Sequence, residues 1–275
     1  MPELPEVETI ARRLRAEIVG LTITQADVRW SRTVAAPSVR RFKQQIRGQV
    51  IRDVGRRAKF LRLQLSDYEL LVHLRMSGDL ALRRGPALLD RHDRLILSLE
   101  PPGPARPAAP PCSLVFNDMR KFGRVWLTAD PGQVTGNLGP EPLGEDFTPE
   151  WLAQALRGRR RQLKPLLLDQ TFIAGLGNIY TDEALHRAGL HPLTLSDSLT
   201  PRQARRLHAA IQATLQEGIL RNGASFDRVY RGGDFQNYFR VYDREGKPCP
   251  VCGTPIQRLV VGQRGTHICP HCQKE

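Results

Sequence analysis

The chain has no run approaching the roughly 18 consecutive apolar residues that a membrane-spanning helix needs, so a helical membrane protein is not expected. It also lacks a basic, apolar leader. The opening Met1-Pro2-Glu3-Leu4-Pro5-Glu6 is acidic and has no apolar stretch, so a cytoplasmic location is expected. Cysteine is sparse, five in 275 residues. In a reducing compartment those thiols point to metal binding ahead of a disulfide framework. Lysine is sparse too, six against 35 arginines, and a compact, titratable ammonium stands out against that background. Acidic residues fall well short of basic ones, 28 against 41, for a formal net charge of +13. Both parts of the chain are basic: 23 basic against 18 acidic residues in 1–150, and 18 against 10 in the remainder. A polyanionic partner is the direct implication, since each phosphate contact releases condensed counterions. An excess kept for solubility is the alternative.

The N-terminus carries the first chemical signal. Removal of Met1 exposes the secondary amine of Pro2, and an α-amino group titrates near ~8, well below a free lysine at ~10.4. Unprotonated, it can attack an electrophilic carbon and form an iminium. Glu3 and Glu6 supply carboxylates beside it. The competing explanation is structural: proline at the first position of a helix, with acids favoured by the helix dipole.

Val7, Ile10, Ala11, Leu14 and Ile18 share one face of a helix predicted over Pro5 to Val19. From Leu21 to about Leu127 the period changes to two, as in Leu61, Leu63, Leu65 and Leu95, Leu97, Leu99, which predicts an antiparallel sandwich. The stretch 101–111 carries six prolines and reads as a loop between strands. Glycine and proline recur from Pro131 to Pro149, a linker, after which helical periodicity returns. Thr148-Pro149 and Thr200-Pro201 each read as an N-cap followed by proline. Leu207, Ile211, Leu215 and Ile219 predict the longest helix.

Cys249-Pro-Val-Cys252, sixteen intervening residues and Cys269-Pro-His-Cys272 match the spacing of a four-thiolate zinc site. Four protein ligands close the tetrahedron, so one structural zinc is expected, with His271 outside the ligand set. Arg264 lies between the knuckles, either solvated or placed to grip a phosphate. Asn178, in Gly175-Leu176-Gly177-Asn178, is either a helix N-cap or part of an anion-binding helix start. Lys59 heads a strand after Arg56-Arg57, where a surface charge is also common. Cys112 is left without an assignment.

Taken together, "PELPEVET", "RRAKF", "HLRMSG", "NDMRKFG", "LGPEPL", "GLGNIY" and the four-cysteine finger resemble, in order and over essentially the whole chain, the formamidopyrimidine-DNA glycosylase family. The resemblance implies an α+β fold: an N-terminal antiparallel β-sandwich with a leading helix (1–135), a linker (136–150), a helix–two-turn–helix domain (151–236) and a C-terminal β-hairpin zinc finger (237–275). It implies a monomeric, nucleoid-associated glycosylase and abasic-site lyase acting on double-stranded DNA with oxidised purines or abasic sites. Carried over by residue, Pro2 resembles the nucleophile that attacks the sugar C1′, and Glu3 the acid/base partner in base loss and ring opening. Lys59 resembles the lysine that serves in β-elimination. Arg264 resembles the finger arginine, and because a guanidinium gives up its proton poorly, its part is read as electrostatic. His73, His92, Arg160, Lys164, Asn178 and Tyr238 fall at or near DNA-contact positions. Met76, Arg120 and Phe122 resemble the trio that fills the hole left by an extruded base, which such chemistry requires. The segment from Asn222 to Asn237 resembles the loop that closes over that base.

Arg75 departs from the family's usual glycine in "HLGMSG", and 101–111 resembles an insertion. Two other readings compete. An endonuclease VIII-like enzyme for oxidised pyrimidines typically opens "PEGPE", whereas this chain has Leu4. A non-catalytic DNA-binding zinc protein would have no need for Pro2, Glu3 and Lys59 together.

Overall fold

The computed structural model describes residues 1–85, 89–101, 112–225 and 232–275. The proline-rich stretch 102–111 and residues 226–231 of the expected closing loop lie outside the described residues. The described chain packs as two compact units. One holds Met1–Pro2 and Glu6–Asn137; the other holds Glu3–Pro5, Leu138–Ser225 and Gly232–Glu275.

In the first unit, helix α1 (Leu4–Ile18) is followed by β1 (Thr22–Val28), β2 (Val34–Ala36), α2 (Val39–Ile46), β3 (Ile51–Arg57), β4 (Phe60–Leu65), β5 (Glu69–His73), β6 (Gly78–Arg84), β7 (Asp93–Glu100), β8 (Cys112–Asp118), β9 (Arg124–Thr128) and the one-turn α3 (Gly132–Thr135). The strands form a four-stranded sheet in the order β1-β7-β8-β6 and a five-stranded sheet in the order β2-β9-β5-β4-β3. Leu61, Leu63, Leu70 and Val72 of one sheet share a single core with Leu80, Leu95, Leu97 and Phe116 of the other, as the period of two requires. Val7, Ile10, Leu14 and Ile18 of α1 complete it.

Two features differ from the sequence reading. Within the stretch read as strands, 39–46 is helical: Ser38 caps it by accepting from the Arg41 N–H, and Phe42 and Ile46 enter the core. Its apolar spacing (Val39, Phe42, Ile46) is the helical one, but it spans barely two turns. The β2–β9 pair is parallel, whereas the other pairs in both sheets are antiparallel.

The second unit contains α4 (Pro149–Arg157), α5 (Leu163–Leu168), α6 (Asn178–Ala188), α7 (Pro201–Leu220) and a hairpin of β10 (Gln257–Val261) and β11 (Arg264–Ile268). The Thr148 hydroxyl caps α4, and Thr200 with Gln203 forms a capping box on α7, each ahead of a proline. The stretch expected as a linker is ordered at its end, where Phe147 is buried and stacks on His208 with ring centroids 4.7 Å apart. Helix α6 is buried nearly all round. Gly218 of α7 lies against it where a Cβ would come within 2.4 Å of the Tyr180 ring.

Candidate active site and nucleic-acid interface

Pro2 is buried, and Glu3 is 2% exposed. The Glu3 carboxylate accepts from the backbone N–H of Ile179 (3.0 Å) and of Tyr180 (3.4 Å), two donors in the first turn of α6. The glycine-rich loop before α6 is shaped to receive it. A Cβ on Gly177 would lie 2.3 Å from Glu3 Cδ, and one on Gly175 would lie 2.7 Å from Leu4 Cδ1. Gly175 has φ +92°, and its carbonyl accepts from the Leu4 N–H at 3.1 Å. Gln170 closes the loop, accepting from the Gly175 N–H and donating to the Leu176 carbonyl. The motif thus seats the residue that follows Pro2. Asn178 is neither the N-cap nor a free anion site: Gly177 is the cap residue, and the helix dipole is met by Glu3.

Lys59 lies in the two-residue turn between β3 and β4 and is 5% exposed, which removes the surface-charge alternative. Phe60 beside it packs edge-on against His73, centroids 4.8 Å apart. Burial, with the positive charges of Arg75 and Lys59, pulls the His73 pKa down to about 3. Its Nδ1 accepts from the Arg75 N–H at 3.0 Å, so the neutral ring carries its proton on Nε2.

Met76 lies in the loop β5–β6 and Phe122 in the loop β8–β9. Each of these loops carries the chain from one sheet of the sandwich to the other. Both side chains are exposed, at 43% and 52%. Arg120 Nη1 lies 3.6 Å from Met76 Sδ. Asp118, 1% exposed, ties the loops together: it accepts from the Ser77 hydroxyl, from the Arg120 N–H at 3.2 Å and from the Gly123 N–H at 2.7 Å. Its own carbonyl accepts from Arg94 Nε at 2.7 Å. Gly78 and Gly123 both press on Phe116, where a Cβ would come within 2.9 and 2.3 Å of the ring. His92 lies just before β7, with Arg91 Nε and Arg94 Nη2 on its two ring nitrogens. Asp118, Ser77 and Arg94 escaped the sequence reading, although the first two lie inside the quoted motifs.

The four cysteine Sγ atoms lie within 4.8 Å of one another. Zn–S bonds of about 2.3 Å in a tetrahedron place sulfurs about 3.8 Å apart. The Cys252–Cys269, Cys252–Cys272 and Cys249–Cys272 separations of 3.4, 3.5 and 3.9 Å fit that figure. Backbone N–H groups of Val251 and Cys272 point at Cys249 and Cys269 Sγ, as thiolate ligands require. His271 is exposed and outside the set. These residues fit one structural zinc, which would supply folding energy and leave no open coordination position. Arg264, exposed, opens β11 after a two-residue turn in which Gly262 and Gln263 have φ +54° and +62°, a type I′ hairpin.

The chain matches three family models. They are the formamidopyrimidine-DNA glycosylase N-terminal domain over 1–125, the formamidopyrimidine-DNA glycosylase H2TH domain over 138–229, and the zinc finger found in FPG and IleRS over 246–274. It is 47% identical to a formamidopyrimidine-DNA glycosylase of Pelotomaculum thermopropionicum, covering 100% of this chain and 99% of that one. It is 46% identical to one of Chloroflexus aurantiacus, covering 99% and 98%. The chain belongs to the formamidopyrimidine-DNA glycosylase family. Among solved structures, Lactococcus lactis Fpg (MutM) with N7-benzyl-Fapy-dG DNA matches with TM-score 0.91 at 36% identity over 100% of both chains. MutM with carbocyclic 8-oxo-G DNA matches with TM-score 0.90, also at 36% identity and over 100% of both chains.

Family membership sharpens what the remaining expected contacts mean. Arg160 is exposed, in the middle of the run Arg159-Arg160-Arg161 that links α4 to α5. Lys164 corrects the sequence reading: it is 0% exposed, its ammonium held by Asp182 Oδ1 at 2.6 Å and the Gly265 carbonyl at 3.0 Å, so it has no surface to offer a phosphate. Tyr238 is 40% exposed and stacks under Arg221 at 3.8 Å. Tyr242, not singled out from sequence, instead lines a polar cavity of about 490 Å³ with Asn178, Arg258, Gly265 and His267. The missed signal was a stripe on α6. Asn178, Asp182 and His186 recur every fourth residue, and all three face the finger. No helix among the described residues is long and apolar enough to cross a membrane.

Proposed function

We propose that this protein excises oxidised purines from duplex DNA and then cleaves the strand at the resulting abasic site. The observation that carries the reading is the seat of Glu3. A buried carboxylate, fixed by two backbone donors, is held directly beside the residue whose amine is the nucleophile. With Met1 removed, Pro2 N attacks the sugar C1′ as the glycosidic bond to the damaged base breaks; Pro2 N loses its proton, the C1′–O4′ bond opens with O4′ taking a proton, and the ring-opened sugar is left as an iminium on Pro2. Glu3 moves the proton between the sugar and the departing base. Loss of a C2′ proton from the iminium expels the 3′-phosphate, and a second elimination releases the 5′-phosphate. Lys59, buried in its turn, handles the proton of the first elimination, and Arg264 stabilises phosphate charge.

Extrusion of the base costs a few kcal/mol of lost stacking. Met76, Arg120 and Phe122, braced by Asp118, fill the gap. His73, His92, Arg160 and Asn178 contact the strand. The working form is a monomer on nucleoid DNA, organised as sandwich 1–135, linker 136–150, helical domain 151–236 and finger 237–275.

The test is a duplex carrying one 8-oxoguanine opposite cytosine, beside duplexes carrying an oxidised pyrimidine or only normal bases. Excision with strand nicking confined to the oxidised purine supports the reading. Preference for the oxidised pyrimidine favours the endonuclease VIII-like alternative, and tight binding without nicking favours a non-catalytic protein.

A further inference from the structure

Helix α5 and the polar stripe of α6 clamp the finger hairpin at its tip, next to the exposed Arg264. The Gly265 carbonyl accepts from two side chains at once, Lys164 Nζ at 3.0 Å and Asn178 Nδ2 at 2.9 Å. Asp182 bridges the same junction: Oδ1 takes the Lys164 ammonium at 2.6 Å, and Oδ2 takes the His267 N–H at 2.9 Å. The turn itself rests on α5, where a Cβ on Gly262 would lie 3.1 Å from Pro165 Cγ. Lys164 and Asp182 side chains are both 0% exposed. A buried ion pair is weak as a source of stability, because desolvation offsets most of its attraction. Such pairs are best attested where they fix a register, and this one fixes the strand that carries Arg264.

We infer that Lys164, acting through Asp182 and the Gly265 carbonyl, is a positioning residue that sets the Arg264 guanidinium for its grip on a DNA phosphate. This rests on the proposed DNA repair function. Lys164 itself touches no DNA. It fixes two consecutive peptide groups of β11 on the same helix end that seats Glu3, so the hairpin cation and the catalytic carboxylate share one rigid reference.

The test is a thermodynamic cycle on the full-length zinc protein, read as affinity for an abasic-site duplex and its dependence on salt. Removing one partner alone would strand a buried charge, so the pair is neutralised together as Lys164→Met with Asp182→Asn. The asparagine oxygen can still accept from His267 N–H. A second variant, Gly262→Ala, displaces the hairpin tip from Pro165 without altering any charge. Zinc content by native mass spectrometry reports whether the finger stays folded.

With zinc retained, each variant is expected to bind about tenfold more weakly, as loss of one charge-assisted phosphate contact implies. The slope of log affinity against log salt should fall by about one. In an Arg264→Ala background neither variant should weaken binding further, because the positioned group is already gone. Additive losses in that background, an unchanged salt slope, or losses that simply follow zinc release would each overturn the inference. Wild-type protein in the same series separates the two claims: if it fails to nick 8-oxoguanine duplex, the function is wrong, whatever the cycle gives.

Discussion

Replacing Gly177 by alanine tests the link between fold and chemistry with a single methyl group. The added Cβ would stand 2.3 Å from Glu3 Cδ and 2.5 Å from Oε1, whereas ordinary carbon contacts need about 3.5 Å or more. The carboxylate must therefore retreat by about 1 Å, which breaks its 3.0 Å bond to the Ile179 N–H and the weaker one to Tyr180. Hydrogen bonds to a charged group contribute about 1.5–3 kcal/mol each. A 1 Å misplacement of a catalytic group costs about 100-fold in rate. Single-turnover excision of 8-oxoguanine should fall by about that factor, while gel-shift affinity for the same duplex stays within about threefold, since the atoms nearest the methyl all belong to Glu3. Glu3→Gln is the matched control: it keeps the shape, loses the charge, and should also excise poorly while binding normally. Wild-type excision by Gly177→Ala would refute the idea that this seat organises the chemistry.

Phe122→Ala and Met76→Ala should slow excision of a paired lesion about tenfold or more, yet spare cleavage at a preformed abasic site, where no base has to be extruded. Equal losses on both substrates would assign these side chains to binding instead. Arg75 holds φ +56°, a left-handed conformation that suits the glycine usual in this family. Arg75→Gly should therefore keep or slightly raise thermal stability while lowering the salt slope of DNA binding by about one if the guanidinium meets a phosphate; an unchanged slope removes Arg75 from the interface. His73 carries a folded pKa lowered to about 3, so below its unfolded value near 6.5 the unfolded state binds more protons and stability falls with pH. Between pH 7.5 and 5 the residue accounts for about 2 kcal/mol of that loss. Urea titrations of His73→Asn should show a pH dependence smaller by that amount, and an identical one would contradict the assigned cause.

Much of the architecture was legible because its signals are local. The stripe Val7-Ile10-Leu14-Ile18, the alternation in β4 and β7, the two Thr-Pro caps and the cysteine spacing each follow from a single element's geometry. Helix α2 was missed because eight residues inside a run of strands give too short a periodic signal. The site divides the same way. Pro2 and Glu3 stood out by residue type and took their expected roles from the resemblance, while the cysteines stood out by spacing; the structure adds the seat of Glu3 and the cluster of four thiols. Lys164 was expected at the DNA on the resemblance alone; its burial depends on Asp182, eighteen residues on, and on Gly265 in the finger. Asp118 and Gln170 act mainly through backbone groups, and sequence patterns carry little trace of such bonds.

The central claim is a covalent bond between the Pro2 nitrogen and the sugar C1′. Borohydride reduction during reaction with 8-oxoguanine duplex, followed by proteolysis and mass spectrometry, tests it most directly. The expected product is an adduct on an N-terminal peptide that begins at Pro2, with Met1 absent from the intact mass. An adduct confined to the peptide containing Lys59, or trapping by a protein that still retains Met1, would contradict the account.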